Sequence, residues 1–182
     1  MIPFFLLVMT MTQTQTVSEL LQAKYSRNEQ RVQEILATGI ELSIFEAAAT
    51  GQTARVRTLL ASSPSLVNAY SPDGFFPLAL AVFFGNGDTA AALLDAGADV
   101  NMQSRETMKI SALHSAVAAR RIDLVTMLLA RGANPNARAE AGLTPLHSAA
   151  QSGNAELVRV LIENGADLNV RDDSGQSRII VE

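Results

Sequence analysis

The chain has 182 residues, 48% of them hydrophobic and only 5% aromatic, with no Trp and no Cys. That length suits one domain with a continuous core of Ala, Leu and Val, and the missing thiols exclude disulfides, thiol nucleophiles and thiolate metal sites. A formal net charge of -4 with no run of Lys and Arg argues against a reader of phosphate backbones.

Residues 1–16 open with Met1-Ile-Pro-Phe-Phe-Leu-Leu-Val-Met9, an apolar run too short to span a bilayer. No basic residue precedes it, and Thr10 to Thr16 offers no Ala-x-Ala-like cleavage site, so the anatomy of a secretory signal is missing. We read 1–16 as a disordered or mis-started leader, with Met9 or Met11 as the initiator; export is the competing reading.

Residues 17–41 predict a helical capping unit. Leu20, Leu21 and Ala23 give a first short helix its apolar side, and Val32, Ile35 and Leu36 do so for a second. Lys24, Arg27, Glu29, Arg31 and Glu34 are left to face water, the wetter outer face that a terminal unit needs. Only Ile40 and Glu41 lie between Gly39 and Leu42, so no projecting loop precedes the next unit.

From Leu42 onward the chain repeats itself. Ile110-Ser-Ala-Leu-His-Ser-Ala-Val117 matches Leu143-Thr-Pro-Leu-His-Ser-Ala-Ala150, and His114 stands 33 residues before His147. Asn68, Asn101, Asn136 and Asn169 recur at 33, 35 and 33, and the pairs Leu59-Leu60, Leu93-Leu94, Leu128-Leu129 and Leu161-Ile162 at 34, 35 and 33. Gly-Ala dipeptides follow at Gly97, Gly132 and Gly165. A fixed period of this size signals stacked units that bury their apolar faces only against one another. Residues 42–175 then divide at about 42–70, 71–102, 103–137 and 138–170.

The fourth unit is the clearest. Thr144 suits an N-cap and Pro145 a first helical position, where a missing N–H costs nothing. Leu146, Ala149 and Ala150 make one apolar stripe, and Gly153 supplies the left-handed residue that ends the helix. A second helix is predicted from Ala155 to Glu163 with Leu157, Val158, Leu161 and Ile162 on one face, ending at Gly165. Asp172-Asp-Ser-Gly-Gln176 opens a further unit, so 171–182 reads as the start of an incomplete repeat. Truncation, a fold-back of Arg178 to Glu182, or a docked partner or second copy would each account for it.

These residues resemble the ankyrin-repeat family. The pattern Gly-x-Thr-Pro-Leu-His-x-Ala-Ala, a Leu-Leu pair and Gly-Ala-Asp-x-Asn stands nearly whole between Gly142 and Asn169, and the likeness extends over Leu42 to Gly175. It implies an all-α solenoid of helix-turn-helix units with projecting β-turn or hairpin loops. It further implies a protein-binding adaptor or scaffold with no catalysis and no cofactor, as in bacterial-type ankyrin-only chains of the cytoplasm. An exported or host-directed effector is the alternative, and self-association through the uncapped end another. The departures are local. The first unit has Ser43 and Phe45 in the Pro and His slots, the second lacks the His, and the third has Ala112 for Pro and Arg120 for Gly. Arg120 is expected to loosen its turn, because a Cβ disfavours positive φ. Two extra residues fall within Gln103 to Lys109.

By the same resemblance, partners dock on a concave face of loops and first helices. Mapped onto this chain, that face holds Tyr70, Asp73, Phe75, Phe83 and Phe84, then Gln103, Arg105, Glu106, Lys109 and Ile110, then Arg138, Glu140, Leu143, Gln151 and Ser152. Tyr70, Phe75, Phe76, Phe83 and Phe84 are five of the nine aromatics. We expect Phe76 in the core and Tyr70, Phe75 and Phe83 facing outward, where buried aromatic anchors carry much of an interface. His114 and His147 share one slot a repeat apart and have no third His or any Cys beside them, so a structural role is expected over a metal site. Asp172-Asp173 lacks the spacing of a calcium loop. No phosphate loop, Gly-x-Ser-x-Gly elbow or His-Glu-x-x-His occurs.

Overall fold

The computed structural model describes residues 18–175. The readings made of the leader 1–16 and of the chain from 176 onward lie outside the described residues. Between them run ten α-helices in five consecutive pairs: α1 (Glu19–Tyr25) with α2 (Glu29–Ala37), α3 (Ile44–Ala49) with α4 (Thr53–Ser62), α5 (Pro77–Phe83) with α6 (Gly87–Asp95), α7 (Ala112–Ala118) with α8 (Ile122–Ala130), and α9 (Pro145–Gln151) with α10 (Ala155–Glu163). First helices pack side by side, α3 on α5, α5 on α7, α7 on α9, while α4 meets α6 and α8 meets α10. The result is an all-α row of units. Among the described residues there is no sheet, only one antiparallel bridge from Gln103 to Ser111.

Helices of six or seven residues are too short to hold themselves, so their ends are fixed chemically and their flanks buried. Ser43 with Glu46, Ser111 with His114 and Thr144 with His147 form capping boxes: the side chain of each N-cap accepts the third helical N–H and the third side chain returns the bond. Pro77 and Pro145 open their helices. In the first unit Ser43, standing in the Pro slot, serves as the N-cap, and α3 therefore starts one residue late.

The first helices are buried nearly all round, from Ala47–Ala49 through Leu78–Val82 and Ala112–Val117 to Leu146 and Ala149. Second helices bury one stripe each: Val56 and Leu60, Ala90 and Leu93, Leu124, Val125 and Leu128, Leu157 and Leu161. These side chains join into one core from Leu21 to Ala166, with a smaller cluster of Leu20, Ala23, Val32 and Ile35 inside the cap.

The recurrent asparagines tie the units together. Asn68, Asn101 and Asn136 accept the backbone N–H of Asp99, Asn134 and Asp167 in the next unit at 2.9, 2.8 and 2.8 Å. Asn101 and Asn136 also donate to the carbonyls of Gly132 and Gly165.

The turn at Arg120 is not loosened. Arg120 and Arg121 donate to the Val117 and Ala116 carbonyls at 3.0 and 3.1 Å, as Gly85 and Asn86 do to Val82 and Ala81 at 3.0 and 2.8 Å. Arg120 simply adopts the left-handed backbone, φ 55°, that Gly85 and Gly153 take at 78° and 66°. Its guanidinium reaches across to the Ser152 carbonyl at 2.8 Å, which helps to hold it there.

Candidate functional site

Three loops rise from the stack as fingers, all closed alike just ahead of a first helix. Ser71 N–H donates to the Phe75 carbonyl at 2.8 Å, Ser104 to Ile110 at 2.9 Å and Ala139 to Leu143 at 2.7 Å. The tight return needs a left-handed residue, supplied by Gly74 (φ 77°), Lys109 (φ 47°) and Gly142 (φ 72°). The second finger is clipped to the first by Arg105 N–H to the Gly74 carbonyl, the third to the second by Glu140 to Met108, and the loop after α10 to the third by Asp173 to Ala141, at 2.9 to 3.0 Å. A side-chain ladder reinforces the clips. Tyr70 Oη donates to the Gln103 carbonyl at 2.8 Å, Gln103 Nε2 to Arg138 at 2.9 Å, and Arg138 Nη2 to Arg171 at 3.2 Å and to Asp173 Oδ1 at 2.9 Å.

Tyr70 and Arg138, both predicted contact residues, thus connect the units. Tyr70 is half-buried, with its ring near Phe76 and the Arg105 guanidinium 4.0 Å from its centroid. Phe75, expected to face outward, and Ile110, expected on the concave face, are instead turned into the stack. They are only 9% and 7% exposed. Each stands one residue before an N-cap and is pinned at both its N–H and its carbonyl by Ser71 or Ser104, which turns the side chain into the stack. Phe76 lies in the core at 1% exposure.

Phe84 and Asp73 belong to a contact the sequence reading missed. The Tyr25 hydroxyl donates to Asp73 Oδ2 at 3.0 Å, and its ring lies 5.6 Å from that of Phe84, which meets Phe83 edge to face at 5.1 Å. Tyr25 thereby crosses from the cap to the second unit, over a first unit whose α3 carries only alanines at 47–49. Burial, and next the Asp73 carboxylate, push the Tyr25 hydroxyl well above its ordinary pKa. Lys24, read as facing water, is drawn in as well: it is half-buried, with its ammonium 5.1 Å from the Phe84 ring centre and 3.7 Å from Glu29. An aromatic at the end of α1 was the available signal, but nothing in the sequence linked it to a partner 48 residues on.

Accessible on this face are Arg105, Glu106, Lys109, Glu140 and Gln151, with Phe83 and Leu143 half-buried. Ala118, exposed, and Ala119, half-buried, belong with them and were overlooked. Counting along the repeat from Phe83 and Phe84 finds them.

The histidines are part of the stack. His114 Nε2 lies 3.3 Å from the Leu143 carbonyl of the next unit, and Nδ1 lies 2.8 Å from Ser111 Oγ. Burial lowers its pKa to about 4, outweighing the opposing bond to Leu143, so the ring is neutral at pH 7. His147 Nδ1 accepts the Thr144 N–H at 3.1 Å. Among the described residues no group of three His, Asp or Glu is placed to hold a metal ion, and no helix is long and apolar enough to cross a membrane.

The comparisons with known proteins agree with this architecture. A family model of three ankyrin-repeat copies matches residues 103–172, and one of a single ankyrin repeat matches 73–105. Together they run over more than half of the chain. No curated protein matches it.

Proposed function

The chain belongs to the ankyrin-repeat family, and on that premise we propose that it is an adaptor or scaffold module holding a partner protein on its finger and first-helix face. Ankyrin repeats are generally protein–protein interaction modules and typically non-catalytic. One observation supports the choice of face. At the ends of three successive first helices, Phe83, Ala118 and Gln151 remain accessible, while Val82 and Val117 just before the first two are buried, Ala150 before the third is half-buried, and the finger bases are occupied in ladders. A surface whose backbone is already fixed by its neighbours loses little freedom when it binds. Phe83 is the aromatic anchor of the row, Arg105, Glu106, Lys109, Glu140, Leu143 and Gln151 are contact residues around it, and Tyr70, Asp73, Phe84 and Arg138 hold the face in shape.

A photo-crosslinking residue at Ala118 tests this in the native cell, against the same residue at exposed Thr126 on α8. The expected outcome is one dominant protein adduct from position 118, reduced at least tenfold in Phe83→Ala, as for a hot spot. Equal adducts from both positions, or insensitivity to Phe83→Ala, would move the binding site elsewhere.

A further inference from the structure

The third unit differs from its neighbours in where two of its cations stand. Arg31, Arg121, Arg131 and Arg138 each sit within 4 Å of a carboxylate. Arg105, Lys109 and Arg120 are exposed and, among the described residues, make no ion pair, as is also true of Arg27, Arg57, Arg159 and Arg171 in other units. Two of the three also stand on left-handed backbone. Where Lys109 has φ 47°, the neighbouring fingers use Gly74 and Gly142; where Arg120 has φ 55°, the neighbouring turns use Gly85 and Gly153. Arg27 fills the turn slot in the cap, but only the third unit puts a cation in both slots.

A side chain in that conformation works against folding, and such positions persist where they serve a site. Among the described residues Lys109 makes no side-chain hydrogen bond, and Arg120 makes one, through Nη2 alone to the Ser152 carbonyl. The Arg105 guanidinium carbon lies over the Tyr70 ring, 4.0 Å from its centre, and no side-chain hydrogen bond to another described residue occupies its N–H fork.

We propose that the third unit is the docking unit and that it takes an extended acidic segment of the partner protein, with carboxylates paired to Arg105 and Lys109 at one end of α7 and to Arg120 at the other. This rests on the reading of a partner-holding face given above. The seven residues of α7 rise about 10 Å, and Ala118 and Ala119 keep the floor beside Arg120 low. An extended chain advances ~3.3 Å per residue, so acidic residues roughly three to five positions apart meet both ends. Glu106 and Glu140 border the cations and repel a uniformly negative strand, which favours separated carboxylates over a polyanion.

The test uses the full chain and random twelve-residue peptides displayed on phage. Enriched peptides are resynthesised and titrated against the wild type, Lys109→Gly/Arg120→Gly and Phe83→Ala. Glycine suits both backbone slots, so the double variant should melt no lower than the wild type; Lys109→Gln/Arg120→Gln repeats the measurement with the side-chain bulk kept. The expected result is peptides with two acidic residues at the stated spacing. The double variants should bind them roughly tenfold more weakly, with a shallower salt dependence, as for loss of two solvent-exposed pairs at an interface. Enrichment of neutral or basic peptides, or equal binding by the double variants, overturns the acidic segment; the face itself stands if Phe83→Ala still weakens them. If no peptide is enriched, or Phe83→Ala also has no effect, both readings fall.

Discussion

The two ends of the stack treat the same face in opposite ways. Toward the N-terminus the first unit has no finger, α3 is one residue shorter than α5, α7 and α9, and Ala49, at the repeat position of Phe83, Ala118 and Gln151, is buried. Tyr25 crosses this low stretch and bonds the tip of the next finger through Asp73, with Phe84 and Lys24 closing around it. Toward the C-terminus the fingers of the third and fourth units are clipped together, and the helix ends between them carry Ala118, Ala119, Gln151 and Ser152, joined by Arg120 to the Ser152 carbonyl but crossed by no aromatic among the described residues. The His slots follow the same division. His114 bonds the following unit's Leu143 carbonyl, whereas Phe45 and Ala79 stand in that slot in the first two units, and Ser71 itself bonds the Phe75 carbonyl. One repeat pattern therefore yields a closed face or an open one, depending on whether a large side chain from two units away reaches across it.

The comparison can be broken at its hinge. Leu113 is 1% exposed in α7, between the closed and open halves. Leu113→Ala should cost ~3–5 kcal/mol in denaturant unfolding, the loss of a large side chain plus a cavity; a cost below ~1 kcal/mol would mean that the halves do not share a core there. A smaller effect belongs to the open half alone. His114 titrates near 4 when folded, against an ordinary value of 6.5. Between these values the unfolded chain holds the extra proton, and stability falls as pH falls. By pH 5 the loss should reach ~2 kcal/mol, visible as a steeper drop in melting temperature for the wild type than for His114→Gln; parallel curves would assign the acid sensitivity to other groups. The smallest effect sharpens the closed half. Tyr25→Phe keeps the ring and removes the bond to Asp73, at ~1 kcal/mol. Hydrogen exchange should quicken in α1 and α2 and stay unchanged in α9 and α10, and a uniform change would show that Tyr25 does not act locally.

Much of the fold was legible because each unit announces its own ends. Thr144, Pro145, Gly153 and Gly165 mark the boundaries of α9 and α10 by capping and φ preference alone, and the asparagine spacing marks the bonds between units. The candidate face was legible only in part. Phe75 and Ile110 are apolar residues in a loop, and nothing local distinguishes one that points outward from one pinned inward by a serine. Arg120 was read as a weak turn because the Cβ penalty is local, while its compensating bond to Ser152 comes from another unit. Lys24 was given to water because its ring partner lies 60 residues along the chain.

By itself the sequence determined the period, the caps, the apolar stripes and hence the row of helix pairs, since all of these are set by interactions within a few residues or between neighbouring units. Tertiary structure decided which parts of the face are spent on the stack and which remain open. That division depends on how far particular side chains, Tyr25 above all, reach across adjacent units, and reach is a property of the assembled row rather than of any one repeat.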